Sequence, residues 1–210
     1  MFAVEVYPPL KDKIIQPIAQ LRDNIVNTSG QGRLILTKKS KKKYISTCNQ
    51  YKKAQQQFYV PQNSYDPSIN SFFVFWCGSL DWLEKAKPAK ISYLQNYNLK
   101  LSFAKLPSSL FIKHASDNSL KTSTLIEKYP DATSIDIKPQ TITVESKKTQ
   151  VRMIISLLAK ADFNNNGNQD LMLSVAQYSL NGNYQKYGIY VLSKNDAESV
   201  LKVVEFVKYS

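Results

Sequence analysis

Between Ala161 and Gln177 the chain reads ADFNNNGNQDLMLSVAQ, and this is the one stretch whose residue types and spacing suit a definite chemistry, the holding of a hard cation. Asp162, Asn164, Asn166 and Asp170 bring side-chain oxygens to relative positions 1, 3, 5 and 9. Asn168 offers its backbone carbonyl at position 7, and Gly167 at position 6 permits the sharp turn that wraps such a loop around an ion. A helix-loop-helix calcium hand is excluded, because position 12, which needs a bidentate Glu, is Leu173 inside the apolar run Leu171 to Ala176. With only two carboxylates, any calcium is held at the weak end of the range, about 10⁻⁴ to 10⁻³ M, and its role is structural. The competing reading of NNNGN is a polar turn between two strands, with Asp162 and Asp170 accepting hydrogen bonds from backbone amides.

The pattern D-x-N-x-N-G-x-x-D, followed directly by an apolar strand, resembles the short calcium loops of FG-GAP and VCBS-type repeats. That resemblance covers this segment alone. The repeat loops commonly carry Gly at position 4 and Asp at position 5, where this chain has Asn165 and Asn166. Asn tolerates a left-handed backbone next best after Gly, so the turn is compatible, while the lost carboxylate weakens the site. The chain holds no second copy of the loop, so the resemblance does not extend to a propeller built from such repeats.

A loop of this kind must be held by strands, and the flanking sequence supplies them. Ser134 to Lys138 and Thr141 to Glu145 alternate apolar and polar residues, a turn at Ser146 to Thr149 leads into Val151 to Ala159, and after the loop Leu171 to Tyr178 and Tyr187 to Leu192 form a hairpin across Asn181-Gly182. The last segment reads two ways: Asn195 to Glu198 looks like a capping box, whereas the Val and Phe content up to Val207 favours a strand. Upstream, Phe2 to Tyr7 reads as a strand ended by Pro8-Pro9. Leu10, Ile14, Ile18, Leu21 and Ile25 then keep the spacing of an amphipathic helix that Pro17 kinks or delays. Gly30 and Gly32 precede a strand at Arg33 to Thr37, Asp66-Pro67 opens a long buried helix running to Lys87-Pro88, and Asn98 to Phe103 alternates like a strand. The expected fold is α+β, one domain over residues 1–210 with helices across 1–130 packed on an antiparallel sheet across 131–210.

Charge is the second chemical signal. The net charge is +12, and Arg contributes only Arg22, Arg33 and Arg152, the remaining cations being Lys. From Asn24 through Tyr65 there is no acidic residue, while Arg33, Lys38, Lys39, Lys41, Lys42, Lys43, Lys52 and Lys53 gather there, interleaved with Tyr44, Tyr51, Phe58 and Tyr59. Such a stretch is either a solvated surface or a polyanion-binding face with aromatics for stacking, and the scarcity of Arg, whose planar fork reads bases and phosphates, counts against sequence-specific nucleic-acid recognition. No run is long and apolar enough for a membrane span.

Cys48 and Cys77 are the only cysteines, and beside a calcium-type loop an even pair points to one disulfide in an oxidising compartment. The expected protein is an exported bacterial one, periplasmic or secreted, a binding or inhibitory module for an anionic envelope polymer or an acidic protein; a cytoplasmic polyanion binder is the alternative compartment. His114 is the only histidine, so neither a zinc site nor a His-dependent triad follows, and no nucleophile elbow, phosphate loop or dinucleotide fingerprint is present. Carboxylates of a polysaccharide hydrolase need no fixed spacing, which leaves Asp131 and Asp136 as alternative candidates for catalysis.

Overall fold

The computed structural model describes residues 1–27, 33–61, 66–95, 97–110, 124–182 and 185–207. In chain order it contains β1 (Glu5–Val6), α1 (Ile18–Leu21), β2 (Leu34–Lys38), β3 (Lys41–Ile45), α2 (Cys48–Gln56), β4 (Val60–Pro61) and α3 (Asp66–Lys85). There follow α4 (Leu99–Ser102), α5 (Leu125–Lys128), β5 (Thr133–Lys138), β6 (Thr141–Ser146), β7 (Val151–Ala161), β8 (Asp170–Ser179), β9 (Gln185–Ser193) and β10 (Lys202–Val207). Strands β5 to β10 make an antiparallel meander in sequence order, and β1 pairs with the far half of β7, at Lys160 and Ala159, where β6 no longer reaches. A separate three-stranded sheet has the order β3-β2-β4. The fold is α+β, as the sequence led us to expect.

Both faces of the large sheet are covered, which explains why β8 is apolar and buried without alternation from Leu171 to Val175, save Ser174. On one face Leu171, Leu173, Tyr190 and Leu192 pack with Leu94, Leu106, Leu110 and Leu125. On the other, Met172, Ile189 and Val191 meet Trp82 and Leu83 of α3 together with Leu10. The same helix reaches the small sheet, where Phe73, Cys77 and Leu80 pack on Leu34, Leu36, Ile45 and on Tyr51 of α2. Cys48 and Cys77 form a disulfide with a Cα–Cα distance of 5.2 Å, tying α2 to the middle of α3.

Several expectations need correction. The N-terminal stripe does not make one helix: a 3-10 turn at Lys11–Lys13 is followed, after Pro17, by the single turn α1. Pro17 has no N–H to continue a helix, and Ile15 and Ile25 are left exposed. The expected strand at Asn98 to Phe103 is α4 running into a 3-10 turn at Phe103–Lys105, with Leu99 buried. The first strand is shortened to β1, with Phe2 bridged singly to Ala89. Of the two readings of the last segment the strand holds, β10 pairing with β9. Gly30, Gly32 and His114 lie outside the described residues.

Candidate functional site: the 162–170 loop and the lysine hairpin

The loop joins β7 to β8, and most of its polar side chains turn onto its own backbone. Asp162, buried, accepts from Asn166 N–H through Oδ1 (3.2 Å) and from Gly167 N–H through Oδ2 (2.8 Å). Asn164 Oδ1 accepts from the same Asn166 N–H at 3.1 Å, and Asn166 Oδ1 accepts from Asn168 N–H at 2.8 Å. Asn165 and Gly167 take the left-handed conformations this winding requires, with φ of 61° and 86°. Asp162 Oδ1 and Asn164 Oδ1 thus converge on one point, an arrangement equally suited to a polar turn and to the first half of a cation shell.

Asp170 is the residue that differs. It is fully buried; Oδ2 accepts from Phe163 N–H at 3.0 Å, and the Ser193 hydroxyl and the Asn164 N–H also face the carboxylate and favour its charged form. Ser193, on the adjacent strand β9, is likewise buried. Burial pushes the Asp170 carboxyl up to about 6, and the charge of nearby Asp162 adds to the rise. A buried carboxylate is stabilised by hydrogen bonds such as these, by a proton or by a cation. Among the described residues no group of three or more His, Cys, Asp or Glu side chains is placed to hold a metal, so the amide oxygens of Asn164 and Asn166 would have to complete the shell.

The segment after α3 clasps the loop from outside. Lys87 exchanges two backbone hydrogen bonds with Asp162, Lys90 and Ile91 N–H donate to Gly167 O, and Gln169 N–H donates to Ile91 O. Side chains add to this: Lys87 Nζ donates to Asn165 Oδ1 at 2.7 Å, Ser92 Oγ to Gln169 Oε1 at 2.7 Å, and Phe163 stands edge-on to Trp82. No periodicity in the sequence announces this clasp. Beyond it, a cleft of about 700 Å³ opens between Ser92, Tyr93, Tyr97, Lys105 and the β9–β10 connection.

The lysines sit mainly on the β2–β3 hairpin, whose register pairs Lys38 with Lys41, Thr37 with Lys42 and Leu36 with Lys43. Leu34, Leu36 and Ile45 point into the core, so the alternate residues Ile35, Thr37, Lys42 and Tyr44 form the outer face, with Val60 of β4 beside Thr37. Among the described residues no carboxylate lies within ion-pair distance of Lys39, Lys41 or Lys42. Lys43 lies over the Tyr59 ring (4.5 Å) and donates to Gln57 Oε1, and Lys38 lies over Phe58. The expected patch is therefore narrower than the sequence suggests. Lys52, on α2, lies 3.8 Å from Asp81, and Lys53 is on the same helix, apart from the hairpin. Tyr51 and Tyr59 are buried in the core, which leaves Tyr44 and Phe58 as the exposed aromatics of this stretch.

Four further acids have partners of their own. Asp81 and Glu84, one turn apart on α3, both pair with the buried Arg22, at 2.5 and 2.6 Å. Asp131 accepts from Lys148 N–H and Ser146 Oγ, bonds that hold its carboxyl below the usual range, and Asp136 pairs with Lys138 at the sheet edge. Among the described residues no helix is long and apolar enough to cross a membrane. Compared with known protein families, curated proteins and solved structures, the chain matches none of them.

Proposed function

We propose that the protein is a polyanion-binding module of an oxidising compartment, exported by a bacterium, that makes contact through the β2–β3 hairpin and is braced by weak calcium binding at residues 162–170. The observation that carries the reading is the hairpin register, which collects Lys38, Lys39, Lys41 and Lys42 at one exposed tip in a stretch without acids. Their field attracts anions without reading sequence, since Lys acts as a point charge and lacks the fork of Arg. The Cys48–Cys77 disulfide supports the compartment. For calcium the supporting observation is the buried Asp170 carboxylate close to that of Asp162. The hydrolase alternative draws no support from Asp131 and Asp136, which are engaged by a turn and by an edge lysine.

One set of measurements tests both parts. Retention on immobilised heparin should fall steeply with added salt, the Debye length being about 8 Å at physiological ionic strength, and should vanish when Lys39, Lys41 and Lys42 are changed to Glu. Millimolar calcium, at about ten times a weak dissociation constant, should raise the melting temperature by about 3 °C through roughly 1.4 kcal/mol of binding energy. Salt-independent retention, or retention by the triple variant, would refute the hairpin; an unchanged melting temperature would leave the loop as a polar turn.

A further inference from the structure

Phe58 is out of place for a residue with only a structural role. It follows the last turn of α2 with φ 59° and is 80 % exposed. A bulky residue in the left-handed region is strained, and leaving its ring in water forgoes the stabilisation of burial. Glycine or asparagine would serve this turn better on both counts. Exposed apolar residues also stand on the adjoining small sheet. Val60 and Tyr44 are 49 % and 64 % exposed on the outer face of the small sheet, and Lys38 Nζ sits 5.6 Å from the Phe58 ring centroid. Apolar side chains with an aliphatic member, near lysines that meet no carboxylate among the described residues, are complementary to a layer whose surface is anionic and whose interior is hydrocarbon.

We infer that this face, with Phe58 as the inserted side chain and Lys39, Lys41 and Lys42 at headgroup level, docks on an anionic lipid bilayer. The inference rests on the polyanion reading and narrows it to one partner. Lysines there gain from the negative surface potential while their stems lie along apolar material, and the phenyl ring enters the boundary between headgroups and acyl chains. Attachment by one ring and a few lysines is reversible and sensitive to salt. A single-stranded nucleic acid would also use lysines and rings, but it needs flat faces for stacking and has no use for Val60.

Sedimentation with vesicles decides the matter, comparing phosphatidylcholine alone with phosphatidylcholine containing about one third phosphatidylglycerol, at about 0.1 M salt. The protein should bind the second and not the first. Phe58→Asn should lower that binding about fivefold or more while heparin retention persists and the melting temperature stays the same or rises. Phe58→Leu, which keeps an apolar side chain but cannot stack, should retain binding. Heparin retention without vesicle binding ends the bilayer inference and leaves the polyanion reading standing; loss of both ends both. Equal loss in Phe58→Leu and Phe58→Asn, with an oligonucleotide displacing the vesicles, assigns the face to nucleic acid instead. A lowered melting temperature in Phe58→Asn would make the ring structural and overturn the inference.

Discussion

The lysine hairpin and the 162–170 loop are both short connections crowded with polar side chains, and they turn those side chains in opposite directions. In the loop Asp162, Asn164 and Asn166 each accept from a backbone N–H two to five residues ahead, so the polar groups serve the fold. At the hairpin tip Lys39, Lys41 and Lys42 meet no carboxylate among the described residues, and the fold gains nothing visible from them. A cluster of charged or polar residues therefore says little about function until its partners are counted. Two places stand out: the lysine charges and Phe58 in one region, and the buried Asp170 carboxylate beside Asp162 in the other.

The contrast makes its largest prediction on stability. Asp162→Ala deprives Gly167 N–H of its acceptor and Asn166 N–H of one of two, in a loop whose first residue is buried, and should cost about 2 to 3 kcal/mol in urea denaturation. Three changes at the hairpin, Lys39, Lys41 and Lys42 to Glu, should together move stability by no more than about 0.5 kcal/mol. If the two variants lose similar amounts, the division between structural and outward-facing polar groups is wrong.

A smaller and pH-dependent effect belongs to Asp170. Its carboxyl rises from 3.8 to about 6 on folding, so between those values the folded protein binds more protons than the unfolded chain. The stability tied to the protonated group is fully present below the unfolded value and is lost as pH rises through about 6. In the presence of chelator, Asp170→Asn should match the parent near pH 4 and exceed it by on the order of 2 kcal/mol at pH 7, since an amide carries no charge to bury. The variant should also lose any response to calcium. A stability gap that does not change with pH would mean that Asp170 is not held in the environment described here.

How much of this was legible depends on how each segment is buried. β6 buries every second residue, Ile142 and Val144 inward, and its alternation is plain in the sequence; β8 is covered on both faces and reads as a continuous apolar run. Helix α2 went unseen because its buried side is only Cys48, Tyr51 and Ala54, and the rest is Lys, Gln and Asn. The N-terminal stripe misled for the opposite reason: Leu10 and Leu21 are buried in different clusters, so their helical spacing reflects two separate turns. Of the loop, the winding and the left-handed Asn165 were readable from residue types, whereas the Lys87–Ile91 clasp and the pairing of Arg22 with Asp81 and Glu84 depend on long-range packing that leaves no local pattern.

The smallest effect separates the two connections by backbone alone. Both need left-handed residues: the loop uses Asn165 and Gly167, whereas the two-residue hairpin connection uses Lys39, with φ 55°. Lysine pays the steric penalty of that region in full, while asparagine offsets part of it with its short polar side chain. Lys39→Asn should therefore stabilise the protein by about 0.5 kcal/mol, and Asn165→Gly should change stability by less than that, because relief of a small strain is opposed by the greater freedom of glycine in the unfolded chain. Lys39→Asn also removes a charge beside Lys38 and Lys41, so the gain should shrink at high salt but not vanish. A gain that disappears entirely at high salt assigns the penalty at the hairpin to charge repulsion and not to the backbone, and would place Lys39 with its neighbours as a residue kept for its charge.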